Sequence, residues 1–201
     1  MSYFRFSIKL ETFTDGNGGI SGSWMTRHLV HQYQGSYTVI CLDKMESVSS
    51  LNNVFDLFRF PNFRFIHGSI TDRKTVCFAL ETYAVECVMH FAANSHVQNS
   101  FRDPFTFTEN NVVGTHALLD AVRSYGNIKR FVHISTDEVY GETHGVVAKE
   151  DSTLLAPTNP YSASKAAAEM YVMAYKHSFG IPVIIVRSNN VYGPCQYPES
   201  K

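Results

Sequence analysis

FTDGNGGISGSW, residues 13–24, sets Gly16, Gly19 and Gly22 three residues apart. Glycines spaced in this way between a strand and a helix make room for a dinucleotide pyrophosphate. The first permits a tight turn, the second lets the backbone approach the phosphates, and the third lets the helix pack on the strand. The helix N-terminus then faces the negative charge. The spacing is GxxGxxG rather than GxGxxG. Asp15 precedes the triplet, and Ser21 stands where a bulky apolar side chain is expected.

The flanking pattern decides whether this loop is a cofactor turn. TVICLD (38–43), FRFIHG (63–68), CVMHFAA (87–93), RFVHIST (130–136) and PVIIVRSN (182–189) are short, nearly continuous apolar runs ending in small or polar residues. Strands of a parallel sheet read this way because helices cover both of their faces. Helical periodicity falls between them, at 22–34, 71–82, 108–125 and 161–178, the last stopped by Gly180 and Pro182. The alternation predicts an α/β chain with a Rossmann-type doubly wound parallel sheet. One strand fits poorly. Phe4 to Leu10 alternates apolar and polar residues, which suits a strand with one wet face better than a buried central one. The connection 141–160 is long, and long loops beside strand ends are more often functional than decorative.

Composition narrows the class. The 201 residues are 44% hydrophobic, 13% aromatic and 17% charged, which suits one soluble domain with a real core. A net charge of −1 offers no field for nucleic acid or anionic lipid. Cys41, Cys77, Cys87 and Cys195 form no CxxC pair, and the nine histidines show no ligand spacing, so neither a metal nor a disulfide framework is expected. No apolar run is long enough for a membrane span, and MSYFRFSIKLE lacks the core of a signal peptide. A cytoplasmic protein is the expectation.

Two positions extend the cofactor reading. Asp43 closes the second strand 21 residues after Gly22, where a carboxylate can hold the adenosine ribose hydroxyls and repel a 2′-phosphate. That favours NAD over NADP. Farther on, YSASK places Tyr161 and Lys165 at i and i+4 on one helix face. There the ammonium is expected to lower the phenol pKa and let Tyr161 exchange a proton near neutral pH. HISTDEVYG (133–141) adds a hydroxyl and two adjacent carboxylates at the end of a buried strand.

Residues 13–201 resemble the N-terminal portion of the extended short-chain dehydrogenase/reductases and, within them, the dTDP-glucose 4,6-dehydratases. The resemblance is carried by LDK (42–44), HFAANSHV (90–97), NVVGTHALLDA (111–121), STDEVYG (135–141), TNPYSASKAAAE (158–169) and RSNNVYGPCQYPE (187–199), of which STDEVYG is the most specific. Sugar-nucleotide epimerases of the superfamily share the Tyr/Lys pair but usually lack the adjacent Asp-Glu. The resemblance implies NAD as cofactor, held by Gly16, Gly19, Ile20, Gly22, Asp43, Lys44, Ser69, Ile70, Ala92 and Ala93 together with Tyr161 and Lys165. It implies a nucleotide-sugar substrate, dTDP-glucose foremost, touched by Ser95, Thr136 and Asn190.

In the implied reaction Tyr161 takes the proton of the sugar 4-hydroxyl, with Thr136 hydrogen-bonded to the same oxygen. Glu138 is then the base at C5 and Asp137 the acid at the departing C6 hydroxyl. Two carboxyl groups with opposite tasks need opposite protonation states, and juxtaposing them is one way to separate their pKa values. The resemblance also implies a homodimer paired through helices 108–125 and 161–178.

Departures from the family pattern bear on activity. A negative charge at Asp15 turned toward the pyrophosphate would cost about 4 kcal/mol at a few ångströms and an effective dielectric near 20. Ser69 replaces the aspartate of the usual GDI that meets the adenine, a loss of roughly 1.5–3 kcal/mol. The family's chains continue far beyond QYPE into a C-terminal domain that grips the nucleotide. Residues 1–201 therefore correspond to the NAD-binding Rossmann-like domain without that substrate domain. The alternatives are a weakly active or inactive homologue that serves as a nucleotide-binding or dimerising module, and a sugar-nucleotide epimerase.

Overall fold

The computed structural model describes residues 6–11, 18–45, 50–142, 145, 147–194 and 196, with backbone alone for 6–11 and 18–20. Six strands form one parallel sheet: β1 (Phe6–Glu11), β2 (Tyr37–Asp43), β3 (Phe63–His67), β4 (Cys87–His90), β5 (Arg130–Thr136) and β6 (Val183–Ser188). Their order is β3-β2-β1-β4-β5-β6. The chain thus winds outward from β1 in both directions. Ligands of such sheets bind outside the carboxyl ends of the strands, where the winding reverses.

β1 is a central strand. Leu10 is in register with Cys41 of β2 on one side and Met89 of β4 on the other. Its apolar/polar alternation suits a strand with one wet face, yet backbone pairing on both edges makes it the central strand with which a dinucleotide fold begins.

The helices are α1 (Gly18–Gln32), α2 (Arg73–Thr82), α3 (Val97–Arg102), α4 (Pro104–Phe107), α5 (Gly114–Tyr125) and α6 (Pro160–Phe179). On one face of the sheet, Leu80 of α2, Leu118 and Val122 of α5, and Val172 of α6 pack with Val88 and Phe131. On the other, Leu29 and Val30 of α1 pack with Val39, Cys41 and Phe63. Val54 and Leu57 join this second layer from two short 3-10 turns, Leu51–Asn53 and Phe55–Arg59, which replace a helix in the β2–β3 crossover. Cys41 and Cys87 are buried free thiols, and burial pushes the Cys87 thiol up to about 11. Among the described residues no helix is long and apolar enough to cross a membrane.

The stretch expected as one helix over 108–125 is two structures. Thr108–Val113 is a π-helical segment, and the α-helix proper begins at Gly114. A side chain at 114 would meet Ile70 Cδ1 at 2.6 Å, so glycine lets the helix close on the core at this point. α6 is nearly as expected. Asn159 caps it, Pro160 occupies its first turn, and Gly180 ends it in the left-handed conformation at φ 69°.

Candidate active site

A cleft of about 460 Å³ opens at the carboxyl ends of β4, β5 and β6. Its floor is made by the end of β5. The Thr136 hydroxyl accepts a 3.3 Å bond from the Glu138 amide and so caps a single 3-10 turn, Asp137–Tyr140. The turn bends the chain out of the sheet directly after Thr136. It ends at Gly141 (φ 71°, ψ −155°), where an added Cβ would strike the carbonyl oxygen of Ala156. The Ala156 amide donates to Val139 O at 2.9 Å, folding the far part of the long loop back on the turn.

α6 supplies the facing wall. Tyr161 and Lys165 line the cleft together with Thr136 and Glu138. Tyr161 is 8% exposed, with the Thr136 side chain near its phenol. Lys165 is 4% exposed, and its Nζ donates a 2.7 Å bond to the carbonyl of Ile134. Burial pushes the Tyr161 phenol up to about 12, against the pull of the neighbouring Thr136 hydroxyl, and Glu138 and Asp137 push it the same way. This corrects the expectation of a phenol lowered by its i+4 lysine. The ammonium is tied to the β5 backbone, and its own burial draws it down to about 8.

Polar side chains behind the cleft hold this arrangement. Asn111 occupies the π-helical segment, 1% exposed; its Oδ1 accepts from the Asn94 amide at 2.6 Å, and its Nδ2 donates to Asn94 O and Ser164 Oγ, both at 2.8 Å. It thereby ties the loop after β4 to α6. Arg187 of β6 donates to both carboxylate oxygens of the fully buried Glu169 on α6, at 2.7–3.1 Å, and to the Tyr140 hydroxyl at 2.7 Å. His90 and His133 lie side by side on β4 and β5 with ring centroids 5.2 Å apart. Burial, then Lys165 and His90, hold His133 well below its usual range, so it is neutral.

The residues predicted from sequence fall into two groups. Ala93, Ser95, Thr136, Glu138, Tyr161, Lys165 and Asn190 line the one cleft, and Asp137 is next to it, with Oδ1 3.3 Å from the Thr136 hydroxyl. Ala92 is buried behind Ala93. The second group lies toward β2 and β3. Asp43 is 2% exposed, and its carboxylate accepts from the Met45 amide at 2.7 Å. Lys44 donates to Asn110 Oδ1 at 2.9 Å. The Ser69 hydroxyl is 2.7 Å from that of Thr71, and Ile70 is a core residue at 1% exposure. Gly19, Ile20 and Gly22 are in the first turns of α1, Gly22 accepting from the Thr26 hydroxyl at 2.8 Å. Asp15 and Gly16 are outside the described residues. Ser21, a departure from the expected pattern, is on the cleft wall.

Residues 14–201 match the family model described as GDP-mannose 4,6 dehydratase. The chain belongs to that family.

Among members with known activities, a trifunctional UDP-glucose 4,6-dehydratase/UDP-4-keto-6-deoxy-D-glucose 3,5-epimerase/UDP-4-keto-L-rhamnose-reductase of Arabidopsis thaliana is 48% identical over 186 residues, 92% of this chain and 28% of the relative. The human dTDP-D-glucose 4,6-dehydratase is 44% identical over 92% of this chain and 52% of its own. The crystal structure of a double mutant of the dTDP-glucose 4,6-dehydratase from Streptomyces venezuelae, with NAD bound, superimposes with a TM-score of 0.86 at 35% identity, covering 98% of this chain and 59% of that one. The chain therefore spans between about a quarter and three fifths of these relatives' lengths.

Within this GDP-mannose 4,6-dehydratase family member, the supporting residues Asn111, Asn159, Ser164, Glu169 and the two strand histidines were not singled out from sequence. Asn159 carried a signal, since Asn-Pro before a helical run marks a cap. Asn111 carried only a weak one, an asparagine inside an otherwise apolar helical pattern.

Proposed function

We propose that this chain carries the catalytic half of a nucleoside-diphosphate-glucose 4,6-dehydratase, with dTDP-glucose as the leading substrate and NAD as cofactor. The observation that carries the reading is the convergence of Thr136, Glu138, Tyr161 and Lys165 on one cleft. Adjacent Asp137 and Glu138 favour a dehydratase over an epimerase, which needs no acid at C6.

The cofactor-side residues fit a dinucleotide. Asp43 presents a carboxylate at the end of β2 beside the strand-order reversal, α1 begins next to it, and small Ala92 and Ala93 leave room at the end of β4. Asp43, Ser69 and the start of α1 would hold the adenosine and pyrophosphate, and Tyr161 and Lys165 the nicotinamide ribose. When bound, NAD supplies the acceptor of two electrons from C4 and their later donor to C6.

The chain's own groups manage the protons. Tyr161 Oη receives the proton of the 4-hydroxyl while the Thr136 hydroxyl holds the same oxygen. Burial that raises the phenol makes it a strong base once ionised, and Lys165, drawn down to about 8, lines the same cleft. Oxidation at C4 acidifies the C5 hydrogen, and the Glu138 carboxylate removes it. Asp137 delivers a proton to the 6-hydroxyl, which leaves as water. Glu138 returns its proton to C5, which leaves the 4-keto-6-deoxy sugar nucleotide as product.

Assembly as a homodimer through α5 and α6 is part of the same proposal. Those helices expose Met170, Tyr171 and, just ahead of α5, Val113 at 54%, 39% and 52%. Sedimentation of the chain tests it: a monomer at micromolar concentration removes the dimer. Incubation with NAD and dTDP-glucose, then UDP-glucose, tests the activity through the alkali-induced absorbance of 4-keto-6-deoxy sugars. Product that vanishes in Glu138→Gln and Tyr161→Phe is expected. Absence of product at high protein concentration overturns the dehydratase reading and leaves the nucleotide-binding or dimerising module.

A further inference from the structure

Asn159 uses the two ends of one amide for two different purposes. Its Oδ1 accepts from the Ser162 amide at 2.8 Å, and the Ser162 hydroxyl accepts from the Asn159 amide at 3.2 Å, closing a reciprocal cap on α6. Its Nδ2 donates a 3.0 Å bond to Glu138 Oε2, across from the helix. A cap needs only the acceptor, and serine, threonine or aspartate would serve equally. The donor is extra to the helix. Because Pro160 fixes the first helical residue and Tyr161 follows it, one planar group sets the carboxylate of Glu138 in the frame that carries Tyr161.

We propose that Asn159 is a positioning residue for Glu138, holding one carboxylate oxygen with its amide so that the other faces the reacting carbon. The inference rests on the reading of Glu138 as the C5 base.

Three variants separate this role from capping. Asn159→Ser keeps the cap and removes the donor; kcat is expected to fall about tenfold with little change in KM, the loss of one charge-assisted bond made to a reacting group. Asn159→Asp keeps the cap and opposes Glu138 with a second carboxylate, and a larger fall is expected. Thermal midpoints of both stay near the parent's, whereas capping alone would leave kcat untouched in both. In a Glu138→Gln background the same Asn159→Ser change should cost no further activity, as residues acting as a unit are non-additive. Wild-type kcat in Asn159→Ser, or full additivity with Glu138→Gln, overturns the proposal.

A second readout needs no turnover. The side-chain ¹⁵N–¹H signals of Asn159 in the 201-residue chain should move when Glu138→Gln removes the charged acceptor of its Nδ2. Signals indifferent to Glu138 overturn the contact. If the contact is present and the parent chain dehydrates neither sugar nucleotide, the reading of Glu138 as a base fails while the positioning of its carboxylate by Asn159 stands.

Discussion

Nζ of Lys165 and the carbonyl oxygen of Ile134 are 2.7 Å apart, which anchors a buried ammonium to the backbone of the strand that ends in Thr136. The lysine is thus held by the sheet, not by its helical neighbour Tyr161.

Stability should register that burial as a function of pH. Lys165 falls from its usual 10.5 to about 8 in the folded chain. Between those values the unfolded chain holds a proton that the folded chain has released, so stability rises with pH from about 8 and is lost as pH falls through 8. Cys87, raised from 9.0 to about 11, and Tyr161, raised from 10.0 to about 12, act oppositely, from pH 9 and pH 10 upward. The window for Lys165 alone is therefore pH 8 to 9, where it contributes a climb of about 1 kcal/mol. Urea unfolding at several pH values from 7 to 9 should show the climb in the parent and a flat profile in Lys165→Met. A variant that keeps the slope rules out Lys165 as its source.

Arg187 and Glu169 predict a different asymmetry. Glu169 is fully buried and Arg187 largely so, and they share three hydrogen bonds. Arg187→Met leaves an unpaired carboxylate inside the protein and should cost about 3–5 kcal/mol, whereas Arg187→Met with Glu169→Leu should recover most of it. Denaturant midpoints decide the matter. A double variant no more stable than the single one would show that Arg187 acts mainly through Tyr140, which it also bonds and stacks over at 4.9 Å.

Gly141 ties the reacting turn to the long loop. At φ 71° and ψ −155° it has a conformation almost confined to glycine, and a Cβ there would meet the Ala156 carbonyl. Gly141→Ala should therefore destabilise by about 2 kcal/mol or more. Hydrogen exchange should localise the effect, with faster exchange of the Ala156 amide, which is bonded to Val139 O. An unchanged melting curve and exchange pattern would mean that the loop relaxes without strain.

The alternation of strands and helices along the chain and the cluster at the ends of β5 and α6 were legible in the sequence because each rests on a local signal: apolar runs, caps, and an i,i+4 pair. Thr136, Glu138, Tyr161 and Lys165 are separated by up to 29 residues in sequence and meet because a strand end and a helix start meet. What escaped was long-range. The tie of Asn111 to Asn94 and Ser164 depends on a π-helical turn that no periodicity announces, and the phenol shift at Tyr161 depends on how deeply the fold buries the start of α6. The place of β1 has the same origin, since it is set by partners on both edges.

Ser69 gives the last test, and it addresses the cofactor half of the proposal alone. The Ser69 hydroxyl accepts from the Thr71 amide at 3.1 Å, starting the turn that leads into the Asp72 cap of α2. Aspartate makes the same local turn through its carboxylate, so Ser69→Asp preserves the backbone while restoring the acceptor that the family pattern places against the adenine. A regained charge-assisted bond is worth roughly 1.5–3 kcal/mol, a gain of about 10- to 100-fold in NAD affinity. Calorimetric titration of NAD into the parent and Ser69→Asp chains measures it, with Ser69→Ala as the control that loses the turn without gaining an acceptor. Equal affinity in the parent and Ser69→Asp would place the adenine elsewhere than beside residue 69. A gain in Ser69→Asp with micromolar binding already present in the parent would show that neither Asp15 nor Ser21 keeps the dinucleotide out.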